Sequence, residues 1–149
     1  MKKIDIADAP IRIGSRYPKP FDAPCQNKLR RRLGVAAGLK TIGINLLELE
    51  PGAWSSQRHW HTLSEEFVYV VEGEVVLVTG SGDEILRAGD CAGFQAGDAD
   101  GHHLQNRSDK RAIVLEVGPA NVAADESFYP GLDLVATRTG YAHADGTPY

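Results

Sequence analysis

Apolar and polar positions alternate with period two through the middle of the chain, the signature of strands whose side chains point to opposite faces in turn. Residues 41–50, TIGINLLELE, carry Ile42, Ile44 and Leu46 on one side, and Pro51-Gly52 ends the run. Residues 54–61 are expected to form the next strand, and 66–71, EFVYVV, a third. If Glu66, Val68 and Val70 face inward, then Phe67, Tyr69 and Val71 face outward and need cover from the N-terminal arm or a second subunit. Strands follow at 74–79, 84–86, 91–94, 102–106 and 111–118, separated by Gly- and Asp-bearing turns at 80–83 and 87–90, a longer polar loop at 95–101 and a turn at 107–110. Many short strands with no convincing helical period predict an all-β, antiparallel sandwich or barrel.

The two ends read differently. Residues 1–33 carry Pro10, Pro18, Pro20 and Pro24 without sustained periodicity, which predicts an extended N-terminal arm with little regular structure. Its basic tail, Lys28 to Arg32, is either a solvated face or an anion-binding patch. Gly34 and Gly38 bracket a turn. Residues 119–149 place Phe128, Tyr129, Leu132, Leu134 and Val135 among polar residues, as expected of a C-terminal extension packed on the barrel and able to add a final strand. The expected organisation is thus an arm at 1–33, a barrel at 34–118 and an extension at 119–149.

A chain of 149 residues with 42% apolar content supports one well-buried core rather than two. The net charge of −4 gives no general reason to seek nucleic acid or anionic membranes, and no helix-turn-helix pattern precedes the strands. Without a signal-like apolar segment or a bilayer-length apolar run, a cytoplasmic protein is expected. Cys25 and Cys91 form no C-x-x-C pair and suit a reducing compartment; Cys91, in the run CAGF, is expected to be a small buried hydrophobe.

Four of the five histidines fall in two clusters, His59/His61 and His102/His103. Histidines two apart share a strand face, and Glu65-Glu66 stands just beyond the first pair. Alternation sets Glu66 on the inward face and Glu65 on the other, and turns Arg58 and Trp60 away to the surface or an interface. In the second cluster Leu104 marks the interior face, which it shares with His102 and Asn106; this favours His102 over His103. Three imidazoles and a carboxylate, His59, His61, Glu66 and His102, are a donor set for one divalent metal ion.

At these residues the chain resembles the cupin superfamily. The first cupin motif, a glycine followed by H-x-H, a glutamate and a closing glycine, is met by Gly52, His59, His61, Glu66 and Gly73, and the second by Gly89, Gly97, His102 and Asn106. Six residues rather than five separate Gly52 from His59, Gln95 replaces the motif proline, and two extra residues precede His102, leaving His103 as an alternative ligand. The resemblance spans roughly residues 41–118 and implies a double-stranded β-helix, or jelly-roll, barrel. It is in particular a resemblance to the small, stand-alone, single-domain bacterial cupins, some of them described as possible sugar-phosphate isomerases. The function it implies is a metal-dependent enzyme using manganese, iron, nickel or zinc on a small oxygenated substrate, with sugar or sugar-phosphate isomerisation ahead of dioxygenase chemistry. A non-catalytic module binding a small molecule or metal is the rival from another class. Cupins commonly pair through apolar barrel faces, so Phe67, Tyr69 and Val71 predict a homodimer.

Overall fold

Strands in this computed structural model, which describes residues 3–120 and 122–149, are β1 (Ile11–Ile13), β2 (Lys28–Arg31), β3 (Ile42–Leu49), β4 (Trp60–His61), β5 (Glu66–Glu72), β6 (Glu74–Thr79), β7 (Asp83–Arg87), β8 (Cys91–Phe94), β9 (His102–Gln105), β10 (Ala112–Pro119), β11 (Ser127–Phe128), β12 (Val135–Thr137) and β13 (Gly140–Ala142). One short helix, α1 (Leu33–Ala36), occupies the stretch expected to be a turn. The strands form a six-stranded sheet ordered β1-β2-β3-β10-β5-β8, a three-stranded sheet β7-β6-β9 and a four-stranded sheet β13-β12-β11-β4. The pairings between them are antiparallel, giving the expected jelly roll. No helix among the described residues is long and apolar enough to cross a membrane.

The core lies between the six-stranded and the three-stranded sheet. Leu47 and Leu49 of β3, Val68 and Val70 of β5, and Ala112 and Val114 of β10 pack against Val75 and Leu77 of β6, Leu86 of β7 and Leu104 of β9. The β5–β6 turn depends on Gly73, whose φ is +76° and where a Cβ would stand 2.9 Å from the Arg111 carbonyl oxygen. Asn106 is fully buried at the end of β9. Its Nδ2 donates to the carbonyls of Leu49 (2.8 Å) and Lys110 (2.7 Å), and its Oδ1 accepts from the Ser108 backbone N–H and hydroxyl.

Four expectations are corrected. The N-terminal segment is not irregular: β1 and β2 extend the large sheet from β3, with Arg12 opposite Arg30 and Arg30 opposite Leu47. Its inward positions are Arg12, Lys28 and Arg30, so apolar alternation could not reveal it. The strand expected over 54–61 reduces to Trp60–His61; the rest meets β9 at the isolated bridges Trp54↔Gln105 and His59↔His102 and through one further backbone bond, from the Ser55 N–H to the Leu104 carbonyl at 2.8 Å. There side chains replace ladder bonds, as when the Ser55 hydroxyl accepts the Leu104 N–H and the Gln57 amide donates to the Phe21 carbonyl. Cys91 is exposed and Cys25 buried, because alternation in CAGF turns Ala92 and Phe94 toward the core and Cys91 outward. Trp60, expected on the surface or at an interface, is half-buried and stacks on Phe128 of the C-terminal extension, with ring centroids 5.1 Å apart.

Phe67, Tyr69 and Val71 are exposed on the outer face of β5. The N-terminal strands join the opposite side of the same sheet, three strands or more from β5, and leave that face open.

Replacing Asn106 with alanine removes a donor from the buried Leu49 carbonyl and from the Lys110 carbonyl, and an acceptor from Ser108. The expected loss is roughly 2–4 kcal/mol of folding stability, measured by urea unfolding.

Candidate metal centre

Three chain segments meet at one carboxylate oxygen. Glu66 opens β5 and projects inward opposite Phe94 of β8. His61 lies in β4, paired with Ser127 of β11. His59 and His102 exchange backbone bonds, His59 N–H to the His102 carbonyl at 3.1 Å and the reverse at 2.8 Å. Gly101 permits this approach: its φ is +72°, and a Cβ there would sit 3.3 Å from the His59 carbonyl oxygen. The result sets Glu66 Oε2 at 3.8 Å from His59 Nε2, 3.7 Å from His61 Nε2 and 3.0 Å from His102 Nε2.

Potential ligand atoms of His59, His61 and Glu66 lie within 4.8 Å of one another, close enough to hold a metal ion. His103 points elsewhere: its Nδ1 donates to the Ser56 carbonyl at 2.8 Å and its ring stands edge-on to Trp54. Glu65 is exposed and contributes nothing to this cluster.

Outer hydrogen bonds prepare the imidazoles to be ligands. His59 Nδ1 donates to the Gln57 carbonyl at 2.9 Å, and His61 Nδ1 to Asp125 Oδ2 at 2.7 Å. Each bond holds the proton on Nδ1 and leaves the Nε2 lone pair directed at Glu66. Asp125 is itself fixed by the Ser64 hydroxyl (2.6 Å) and the Leu63 N–H (2.9 Å). Burial would raise the Asp125 carboxyl, but these donors and His61 hold it below the usual carboxylate range. The His102 ring lies parallel to Phe94 with centroids 3.5 Å apart, and Tyr129 stacks on His59 at 5.7 Å.

The electrostatics agree with a ligand role. Burial, followed by His102 and His61, pushes His59 down to about 4 against the opposing pull of Glu66, so its imidazole is neutral near pH 7. Burial would raise Glu66, yet the hydrogen bond from His102 and the nearby imidazoles bring it to about 2 and keep it ionised. A neutral imidazole and an ionised carboxylate are the forms a divalent metal needs.

Residues 45–118 match the cupin domain family. A crystal structure described as a sugar phosphate isomerase of the cupin superfamily, from Silicibacter pomeroyi, is 41% identical over 99% of this chain and 96% of that one, with a TM-score of 0.92. This chain belongs to the cupin superfamily. A proposed sugar phosphate isomerase from Acidithiobacillus ferrooxidans is 29% identical, covering 79% of this cupin and 76% of that chain, with a TM-score of 0.72. Oxalate decarboxylase from Bacillus subtilis is 30% identical over 112 residues, 71% of this cupin; the cupin spans only 28% of that protein's length.

The centre opens into a cavity of about 410 Å³ that reaches across the inner face of the large sheet. Of the cations considered from sequence, Lys28, Arg30 and Arg32 line it. Arg31 lies on the outer face, bonded to Glu48 at 3.0 Å, and Arg58 donates to the Asp100 carbonyl away from the cavity. Sequence reasoning missed Asp125, Tyr129 and Tyr141 of the extension and Arg12 and Arg16 of the arm. None sits in a local pattern that distinguishes it; they reach the site only through tertiary pairing.

Asp125→Ala frees the His61 ring and its tautomer. Metal affinity is expected to fall roughly 10- to 100-fold with the fold retained, measured by competition against a chromogenic chelator.

Proposed function

We propose that His59, His61, Glu66 and His102 hold one divalent metal ion, and that this cupin is a metal-dependent enzyme isomerising a sugar or sugar phosphate. The observation carrying the proposal is the convergence of three imidazoles and one carboxylate at the inner end of a cavity sized for a small substrate. Manganese, iron or nickel suit the donor set, and zinc can substitute. Such an ion would supply Lewis acidity toward the hydroxyl and carbonyl oxygens of a substrate.

The chain's own residues do the rest. Asp125 and the Gln57 carbonyl orient His61 and His59. Phe94 and Tyr129 cover two of the rings and limit water at the inner end. Glu66 keeps part of its side chain open, 35% exposed, on a centre that must remain reachable. The arm (1–33) and the extension (119–149) complete the cavity wall around the barrel (34–118), through Arg12 and Tyr17 on one side and Tyr141 on the other. The free thiols, Cys25 and Cys91, suit a cytoplasmic setting.

Similarity to the Silicibacter protein along nearly the whole chain supports isomerase chemistry over dioxygenase chemistry. The match to oxalate decarboxylase covers a small part of that protein, and oxalate would fill little of the cavity. Outer residues Phe67, Tyr69 and Val71, left open by the arm, support a homodimer joined through β5.

Protein purified without added metal is expected to carry close to one divalent ion per chain by elemental analysis, with His61→Ala carrying almost none. Wild type should interconvert an aldose or ketose phosphate without consuming oxygen. Iron together with oxygen uptake on catechols or thiols would establish a dioxygenase, and bound metal with no turnover on any screened substrate would leave a binding module.

Light scattering is expected to give twice the chain mass at micromolar concentration, and Tyr69→Glu to give a folded monomer. A monomeric wild type rules out this dimer.

A further inference from the structure

Five cationic side chains line the cavity, Arg12, Arg16, Lys28, Arg30 and Arg32, against the two carboxylates Glu66 and Glu116. Two of the five are committed. Arg30 forms paired bonds of 2.6 and 2.7 Å to Glu116, and the Lys28 ammonium donates to the Ser55 carbonyl. Among the described residues, no carboxylate pairs with Arg12, Arg16 or Arg32. They are nonetheless crowded. Arg12 stands opposite Arg30 in the β1–β2 register, and its guanidinium is pushed down by partial burial and then by Arg16, Arg30 and Arg32. Like charges facing across a strand pair destabilise it, and solvated arginines ordinarily splay apart. Arg12 instead lies on the inward, cavity-lining side of its strand, flanked by the exposed Ile11 and Ile13.

This cluster lines the arm's side of the cavity. β1 and β2 are four and three strands from β5, roughly 14–19 Å along the sheet before the inward reach of the arginines is counted. The space between is kept open by Gly43 and Gly118, which pair with each other across β3 and β10 and line the cavity. A Cβ on Gly118 would contact Glu66 Cγ at 3.6 Å.

We infer that Arg12, Arg16 and Arg32 form a phosphoryl-binding subsite, holding the phosphate of a phosphorylated substrate whose hydroxyl or carbonyl oxygens reach toward His59, Glu66 and His102. Guanidinium forks match phosphate oxygens in geometry and charge, and three of them suit a dianion. The inference rests on the functional reading above for its substrate, but not for its anion.

The probe is inorganic phosphate, titrated calorimetrically into the full-length protein, with oxalate in parallel. Arg12→Met, and separately Arg16→Met with Arg32→Met, should each weaken phosphate binding at least tenfold. Arg138→Met, an exposed arginine outside the cavity, should leave it unchanged. His61→Ala should lose metal and keep phosphate. Because Arg16 and Arg32 are exposed, the double variant tests the subsite even if Arg12→Met fails to fold, as judged by circular dichroism. Arginine-dependent phosphate binding in a protein that never carries metal would support the subsite while sinking the enzyme reading. The subsite is overturned if wild type does not bind millimolar phosphate, if the arginine variants bind it normally, if binding disappears only in His61→Ala, or if oxalate binds as tightly with the same arginine dependence.

Discussion

An ionised carboxylate set among three imidazoles is the constraint around which this barrel is arranged. Desolvation alone would push Glu66 toward its neutral form, and the imidazoles reverse that, holding it at about 2. Because a partly buried charge is costly unless partnered, each neighbouring segment must hold its imidazole in place. The backbone exchange between His59 and His102, the β4–β11 pairing at His61 and the glycine at 101 meet that need. Outer hydrogen bonds then fix two of the rings, so the donor geometry is built by the chain's own contacts.

Rows of inward side chains across the large sheet explain how one barrel holds both a dry core and a polar cavity. One row runs Arg30, Leu47, Val114, Val70 and is apolar except at its edge. The next, Asn45, Glu116 and Val68, is mixed. In the last, Gly43 and Gly118 lie in line with Glu66 and Phe94. Along β10 the inward series is therefore Ala112, Val114, Glu116, Gly118, passing from packed to polar to open within one strand. Because a strand presents every second residue to the same face, this gradient needs no break in secondary structure. The cavity is where the core packing stops, at the end of the strands that carries Glu66.

That arrangement also accounts for what could be read in advance. From β5 to β8, inward apolar residues alternate with exposed ones between glycine turns, and the strand positions were legible to within a residue or so. The histidines of the candidate centre stand out in the sequence because they cluster in pairs. β1 and β2 were hidden because their inward residues are arginine and lysine, the reverse of the pattern that marks a strand. The segment before Trp60 was misread because Ser55 and Gln57 satisfy backbone groups with side chains, imitating alternation without a ladder. Asp125 lies 64 residues from His61 and carries no local motif, so only the fold could bring them together.

The core and the site draw on different parts of the chain. Every residue of the principal apolar cluster falls between Leu47 and Val114. The groups that anchor His61, stack on His59 and close the cavity come largely from outside it: Asp125, Ser127, Tyr129 and Tyr141 from the extension, and Arg12, Arg16 and Tyr17 from the arm. Tyr17 packs edge-on against Tyr129 with ring centroids 5.6 Å apart, so arm and extension meet directly behind His59. Substitutions in these segments can reshape ligand recognition while leaving the barrel's apolar packing untouched, since the two sets share no residue. The His59, His61, Glu66 and His102 centre thus belongs to the barrel, whereas much of what it encounters in the cavity is set by the two ends of the chain.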